Sequence, residues 1–245
     1  RIAAKVGDTL ALFEGREFEI IVVSDASTDG TDEAVRALGD ARVRLVRQEE
    51  RKGKESGQRL GIEAATGDVL VFSDVATRIG PGSIDALVEC FSDPTVGAVS
   101  SEDRFVSTDG TIAGEGLYVR YEMWLRRLES RLAGLVGLSG SFFAVRRDLC
   151  ADWRTDVPSD FTVALTCARH GMRAVSHPGV IGIYPDLKEP ADEYARKRRT
   201  VIRGMAGLAA AREVLNPFRH GLFAFEVWSH KVLRWAVPWF LLLLL

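Results

Sequence analysis

The stretch EIIVVSDASTDGT, residues 19–31, decides how the rest of the chain is read. Its apolar run, Ile20-Ile21-Val22-Val23, has no polar face, so it fits a strand covered on both sides, as in a sheet whose crossovers are helices. The run ends abruptly in Asp25, Ser27, Thr28 and Asp29. In open α/β sheets ligands sit in the crevice at the carboxyl ends of the strands, so this polar exit marks Asp25 and its followers as a candidate ligand site.

The pattern then recurs. TDEAVRAL carries helix formers behind polar caps, VRLVR is a short strand, and KESGQRLGIEAATG reads as a helix closed by Gly67. DVLVFSD runs a further apolar strand, Val69 to Phe72, into Asp74. This β-α-β-α order predicts an α/β fold with a mostly parallel central sheet flanked by helices. Two such strands ending in carboxylates would put Asp25 and Asp74 on one edge of one sheet. PGSIDALVECF is another helix, with Pro81 near its first turn, and VGAVSSE another strand. In LYVRYEMWLRRLESRLAGLVG, residues Leu117, Tyr121, Trp124, Leu125, Leu128 and Leu132 form the stripe of an amphipathic helix, expected to face the core with arginines opposite. LSGSFFAVRRDL is a strand begun by small residues. PSDFTVALTCARHG sets Pro158, Ser159 and Asp160 at the mouth of a helix closed by Gly171.

Bulk composition limits the function classes. At 245 residues and 47% hydrophobic content the chain suits one sizeable α/β domain, with or without an appendage, and not a disordered segment. Net charge is -2, so no basic surplus argues for nucleic acid. Cys90, Cys150 and Cys167 are odd in number and widely spaced, which suggests buried reduced thiols; the four histidines show no zinc-site spacing. Both ends read as cut: the chain starts at Arg1, and WAVPWFLLLLL stops in mid-run. That tail falls short of the ~20 apolar residues of a span. With Trp235 and Trp239 as an interfacial belt it reads as the opening of one, the alternative being a terminal core helix or strand.

In order, IIVVSDASTDGT, RKGKESGQRLGIEAATGDVLVFSDVAT, LSGSFFAVRRDL, PSDFTVALTCARHGMR and SHKVLRWAVP resemble the inverting glycosyltransferases of family 2, which have the GT-A fold. They are most similar to the membrane-attached bacterial branch of cellulose- and hyaluronan-synthase-like enzymes. The resemblance implies a catalytic domain over residues 1–215, lacking the family's first strand, and an interfacial helix with the start of a transmembrane segment over 216–245. It implies transfer of a sugar from a nucleotide-diphospho-sugar to a glycan or lipid-linked acceptor, at the cytoplasmic face of the inner membrane.

Carried residue by residue, the resemblance gives Asp25 the nucleotide base, with Ser27 and Asp29 organising the turn. Lys52 and Lys54, beside Gly53, would steady the phosphates. Asp74 holds the first position of the family's D-x-D metal motif, implying Mg2+ or Mn2+, although Ala76 stands where a second carboxylate is common. Gly140 belongs to the acceptor segment. Asp160 matches the second acid of the E-D motif, a general base, with Ser159 in the first position. RKRRT stands where processive enzymes carry Q-x-x-R-W, and only Arg199 has an equivalent there, so long-chain processivity is not implied. By position alone, Asp25 and Asp29 also fit turn and helix caps, the lysines a solvated loop, Gly140 tight strand packing and Asp160 a helix N-cap. Two other functions fit the chain: a nucleotide-sugar-binding pseudoenzyme, and a membrane-tethered assembly subunit without catalysis.

Overall fold

The computed structural model describes residues 1–106, 117–185 and 190–244. It opens on a helix that the sequence reading passed over, α1 (Ile2–Leu12), whose buried residues Ile2 and Val6 lie one turn apart. There follow β1 (Ile20–Asp25), α2 (Thr31–Arg36), β2 (Val43–Gln48), α3 (Lys54–Ala64), β3 (Val69–Ser73), β4 (Arg78–Ile79), α4 (Ser83–Phe91) and β5 (Val96–Val106). Then come α5 (Leu117–Leu132), β6 (Phe142–Arg146), α6 (Ser159–Arg169), β7 (Arg173–Pro185), α7 (Pro190–Ala210), α8 (Pro217–Val227) and α9 (Leu233–Leu243). A single π-helical stretch, Trp228–Val232, joins the last two. Helix α3 ends at Ala64, short of Gly67, because Ala65 already turns extended with ψ 145°.

The α/β class with flanking helices stands, but two expectations about the sheet are corrected. Strand pairing is mixed: β1 and β2 pair parallel, while the other sheet runs β3-β6-β5-β7-β4, with β6 antiparallel to both neighbours and β4 antiparallel to β7. Among the described residues β1 and β2 share no ladder with the five-stranded sheet, so Asp25 and Asp74 end strands of different sheets. The cause is visible in β6. An unbroken apolar run reports burial on both faces and is silent about strand direction. Phe142 and Ala144 pack on Val99, Val180, Ile84 and Leu87, while Phe143 and Val145 pack on Ala98, Leu135, Leu149 and Val163. The antiparallel insertion has one consequence for the site: Ser73 pairs with Phe142, so β6 begins where β3 ends.

Helix α5 departs in part from its predicted stripe, of which Leu125 and Leu128 are half-buried. Tyr121, Trp124 and Leu132 are 50%, 56% and 61% exposed, whereas Glu129 is buried. Leu117 lies where only the backbone is described. The inward face meets polar neighbours and is held by hydrogen bonds instead of apolar contact. Arg126 donates to Ser100 Oγ (2.6 Å) and to the Gly137 carbonyl (3.2 Å), Ser176 N donates to Ser130 Oγ (2.9 Å), and Glu129 binds His230. The cysteines are free, and burial pushes the Cys150 and Cys167 thiols up to about 12, which makes them inert packing groups.

The C-terminal helices return to the core, where Phe223 and Val227 of α8 join Val136, Phe161, Leu165 and Val214. Glu226 is buried there, and burial, together with the nearby Glu129, pushes its carboxyl up to about 8. Its folded-state pKa thus exceeds its unfolded value, so its contribution is fully present below about pH 4.5 and is lost as pH rises toward 8. Glu226→Gln escapes that loss. The variant is expected to match the parent near pH 4.5 and to exceed it by ~3 kcal/mol at pH 8, read by denaturant unfolding at both pH values. An equal difference at both would contradict the assignment.

Candidate active site

A cavity of about 1630 Å3 opens at the junction of β3, β6 and α6, and Lys54, Asp74, Gly140, Asp160 and Arg199 all line it. Strand pairing explains the convergence. Asp74 N donates to the Ser141 carbonyl (2.9 Å), continuing the β3–β6 ladder past its last pair, so the metal-motif aspartate and the small-residue segment share one rim. Lys54, the first residue of α3, spans the two: its Nζ lies 2.6 Å from Asp74 Oδ1 and 2.6 Å from the Gly140 carbonyl.

Asp160 enters from the other side. Leu138 N donates to its carbonyl (3.1 Å), docking the mouth of α6 onto the same segment, and a Cβ added at Gly140 would stand 3.1 Å from Asp160 Oδ2. Gly140 is therefore small because the carboxylate occupies that space. The cap reading fails here: the α6 N-cap is Pro158 with no side-chain cap bond, and Asp160 Oδ1 accepts only the adjacent Phe161 N (3.0 Å) among the described hydrogen bonds. Burial raises the Asp160 carboxyl above its ordinary range, opposed by that backbone donor and by Lys54 and Lys231.

Asp25, Ser27 and Lys52 do not line this cavity. Asp25 Oδ1 accepts from Gln48 Nε2 and Lys52 N (2.8 Å each), and its Oδ2 from Gly53 N (3.1 Å). It thereby fixes the loop that launches Lys54. Gly53 sits at φ +89°, where a side chain would be strained, and Ala26, just after Asp25, holds φ +53°. Ser27 offers its carbonyl to Arg47 (3.0 Å), and the Lys52 side chain is exposed. Asp29 accepts from Thr31 Oγ1 (2.6 Å) at the start of α2, as the turn-and-cap reading had it.

Lys5, Asp103, Arg126 and Lys231, none of them singled out from sequence, also line the cavity, as does Trp235, which the sequence reading had assigned to an interfacial belt. Lys5 of the unread helix α1 donates to Ser73 Oγ (2.8 Å) and the Thr77 carbonyl (2.6 Å). Asp103 accepts from Ser101 Oγ (2.8 Å) and Ser139 Oγ (2.7 Å), bracing the small-residue segment from a strand that runs further than VGAVSSE suggested. Lys231 stands within SHKVLRWAVP, between His230 and Val232, a stretch quoted from sequence without that residue being picked out.

Among the described residues no cluster of three or more His, Cys, Asp or Glu could hold a metal alone. The donor set does fit a cation that brings its own partners. Asp74 is a half-exposed carboxylate on the rim, tied among the described residues to Lys54, and magnesium commonly takes one or two carboxylates plus substrate phosphate and water.

Residues 3–154 match the family described as glycosyl transferase family 2. The chain belongs to that family. This family 2 chain is 27% identical to the mannosyltransferase PcManGT from Pyrobaculum calidifontis, solved in complex with GDP-Man and Mn2+; the superposition has a TM-score of 0.78 and covers 97% of this chain and 68% of that one. It is 30% identical over 150 residues to the dolichol-phosphate mannosyltransferase of Pyrococcus furiosus (strain ATCC 43587 / DSM 3638 / JCM 8422 / Vc1), covering 56% of this chain and 40% of the relative. Over 76 residues it is 33% identical to the succinoglycan biosynthesis protein ExoO of Rhizobium meliloti (strain 1021), 31% of this chain and 22% of the relative. It thus spans less than half the length of these curated relatives. The fold is that of the GT-A glycosyltransferases.

Proposed function

We propose that this glycosyltransferase transfers a sugar with inversion from a nucleotide-diphospho-sugar to a hydroxyl of a glycan or lipid-linked acceptor. The observation that carries the reading is Lys54 Nζ held 2.6 Å from both Asp74 and the Gly140 carbonyl, with Asp160 packed against Gly140 in the same cavity. In this reading Lys54 serves as a phosphate-binding cation, Asp74 as a metal-binding carboxylate and Asp160 as the base, around one rim. Asp160 takes the proton of the acceptor hydroxyl as its oxygen attacks the anomeric carbon, and the bond from that carbon to the diphosphate oxygen breaks on the opposite face. Lys54 offsets charge on the departing diphosphate. A Mg2+ or Mn2+ ion at Asp74, completed by donor phosphates, would supply Lewis-acid stabilisation of that leaving group. Asp25 acts at one remove, by shaping the loop that presents Lys54, and Arg199 offers a further cation at the cavity mouth.

The membrane reading rests on the surface. Trp124 of α5, Phe218, Leu222 and Phe225 of α8, and Trp239 and Phe240 of α9 are large apolar side chains left exposed. No described helix is long and apolar enough to cross a membrane. We read α8 and α9 as an interfacial platform that brings the cavity to a lipid-linked acceptor on the cytoplasmic face of the inner membrane. Vesicle flotation tests this: the parent is expected to float with liposomes and a Phe225→Asp, Trp239→Asp double variant to lose about tenfold in partitioning, whereas equal partitioning would overturn the platform.

Screening a panel of radiolabelled sugar nucleotides, with and without Mn2+, tests the activity itself. Transfer that needs a divalent ion supports the reading. Donor binding without transfer or hydrolysis would favour a nucleotide-sugar-binding pseudoenzyme.

A further inference from the structure

Taking Asp160 as the base proposed above, we propose that Lys231 is its positioning residue, keeping the carboxylate ionised and turned toward the acceptor. The geometry comes from two glycines in the small-residue segment. Gly140 leaves room for Asp160 Oδ2, and Gly137, three residues earlier, leaves room for Lys231 Nζ, which would lie 3.4 Å from an added Cβ. Both charged side chains line the cavity, and the ammonium stands 5.5 Å from the ring centroid of Phe161, the residue next to Asp160. Among the described residues no hydrogen bond or ion pair engages Lys231 Nζ, although its side chain is half-buried.

The backbone that delivers Lys231 is itself unusual. It is the π-helical stretch Trp228–Val232, a form that inserts an extra residue into a turn, re-aims the side chains after it and recurs at functional sites. The stretch is pinned from α5. His230 binds Glu129 and lies 3.5 Å from Glu122, and Arg234 reaches Glu122 at 2.5 Å. With His230 locked, its neighbour Lys231 is committed to the cavity side.

The charges facing each group explain why such a cation is needed. Asp160 faces Lys54 and Glu55 from α3 and Lys231 from the π stretch; Lys231 faces Arg126 and Glu129 from α5, Arg234 from α9 and Asp160 from α6. Lys54 is engaged by Asp74 and the Gly140 carbonyl, and Glu55 is paired with Arg203. Lys231 is the facing cation left uncommitted. A buried carboxylate without a cation takes up a proton and cannot act as a base, while a buried ammonium without an anion loses one, so each partner preserves the charge of the other.

The test is a titration of the Asp160 carboxyl carbon by 13C NMR in the full chain, assigned with Asp160→Asn. Lys231→Met is expected to raise the midpoint by about one unit, a tenfold loss of ionised base at a fixed acidic pH, and Lys231→Arg to restore it. In transfer assays Lys231→Met should lower kcat with little change in the donor KM, and the deficit should shrink as pH rises. An unchanged Asp160 midpoint in folded Lys231→Met overturns the inference; should that variant not fold, Lys231→Gln is read by the same criterion. Transfer retained by Asp160→Asn would instead overturn the base assignment and leave the midpoint comparison standing.

Discussion

Asp160→Asn is expected to lower transfer by roughly 10²–10⁴-fold, the contribution typical of a positioned general base, while nucleotide binding stays near that of the parent. The substitution is close to isosteric, and Asn can still accept the Phe161 amide that Asp160 Oδ1 accepts at 3.0 Å. Fold and cavity should therefore survive, which thermal unfolding would confirm. In the parent, burial holds the carboxyl above its usual range, so the acid limb of kcat/KM should lie above that of an exposed aspartate, with activity rising as pH rises through it. An acid limb unaltered in the residual activity of Asp160→Asn would argue against this role.

Asp74→Asn carries the second large effect. Its only described side-chain partner is Lys54, in a pair whose members are 42% and 45% exposed, and such solvated pairs are worth about 0–1 kcal/mol. Stability should hardly move. Activity should fall by about 10²–10³-fold, because the carboxylate that would anchor the cation on the diphosphate is gone, and the dependence on Mn2+ concentration should flatten. The difference between a negligible change in stability and a large change in transfer separates a ligand from a structural group. A large drop in melting temperature with unaltered metal dependence would contradict it.

The parts of this architecture set by local pattern could be read from sequence, and the parts set by long-range geometry could not. Strands β1 and β3 with acidic exits, the helix launched by Pro158-Ser159-Asp160, and the burial of Cys150 and Cys167, though not of the half-buried Cys90, follow from apolar runs, caps and composition. The direction of β6 does not, because Phe142–Arg146 is apolar on both faces and would look the same either way along the sheet. That direction sets Ser141 beside Asp74, while the separate ladder of β1 and β2 leaves Asp25 aside, bracing residues 52 and 53 instead of lining the cavity. The α5 stripe misled for a related reason. Periodicity shows that a helix has two unlike faces, but Glu129 and Arg126 turn inward because Ser100, Gly137 and His230 await them there. Lys231 depends on the π stretch, whose extra residue no 3.6-residue count anticipates.

The most direct measurement is the anomeric configuration of the newly formed glycosidic bond, read from the one-bond C1–H1 NMR coupling, with an α-linked donor that the enzyme accepts. A single displacement with Asp160 as base predicts a β-linked product at every early time point. An α-linked product would mean net retention, which a single back-side displacement cannot give, and it would contradict the role given to this cavity.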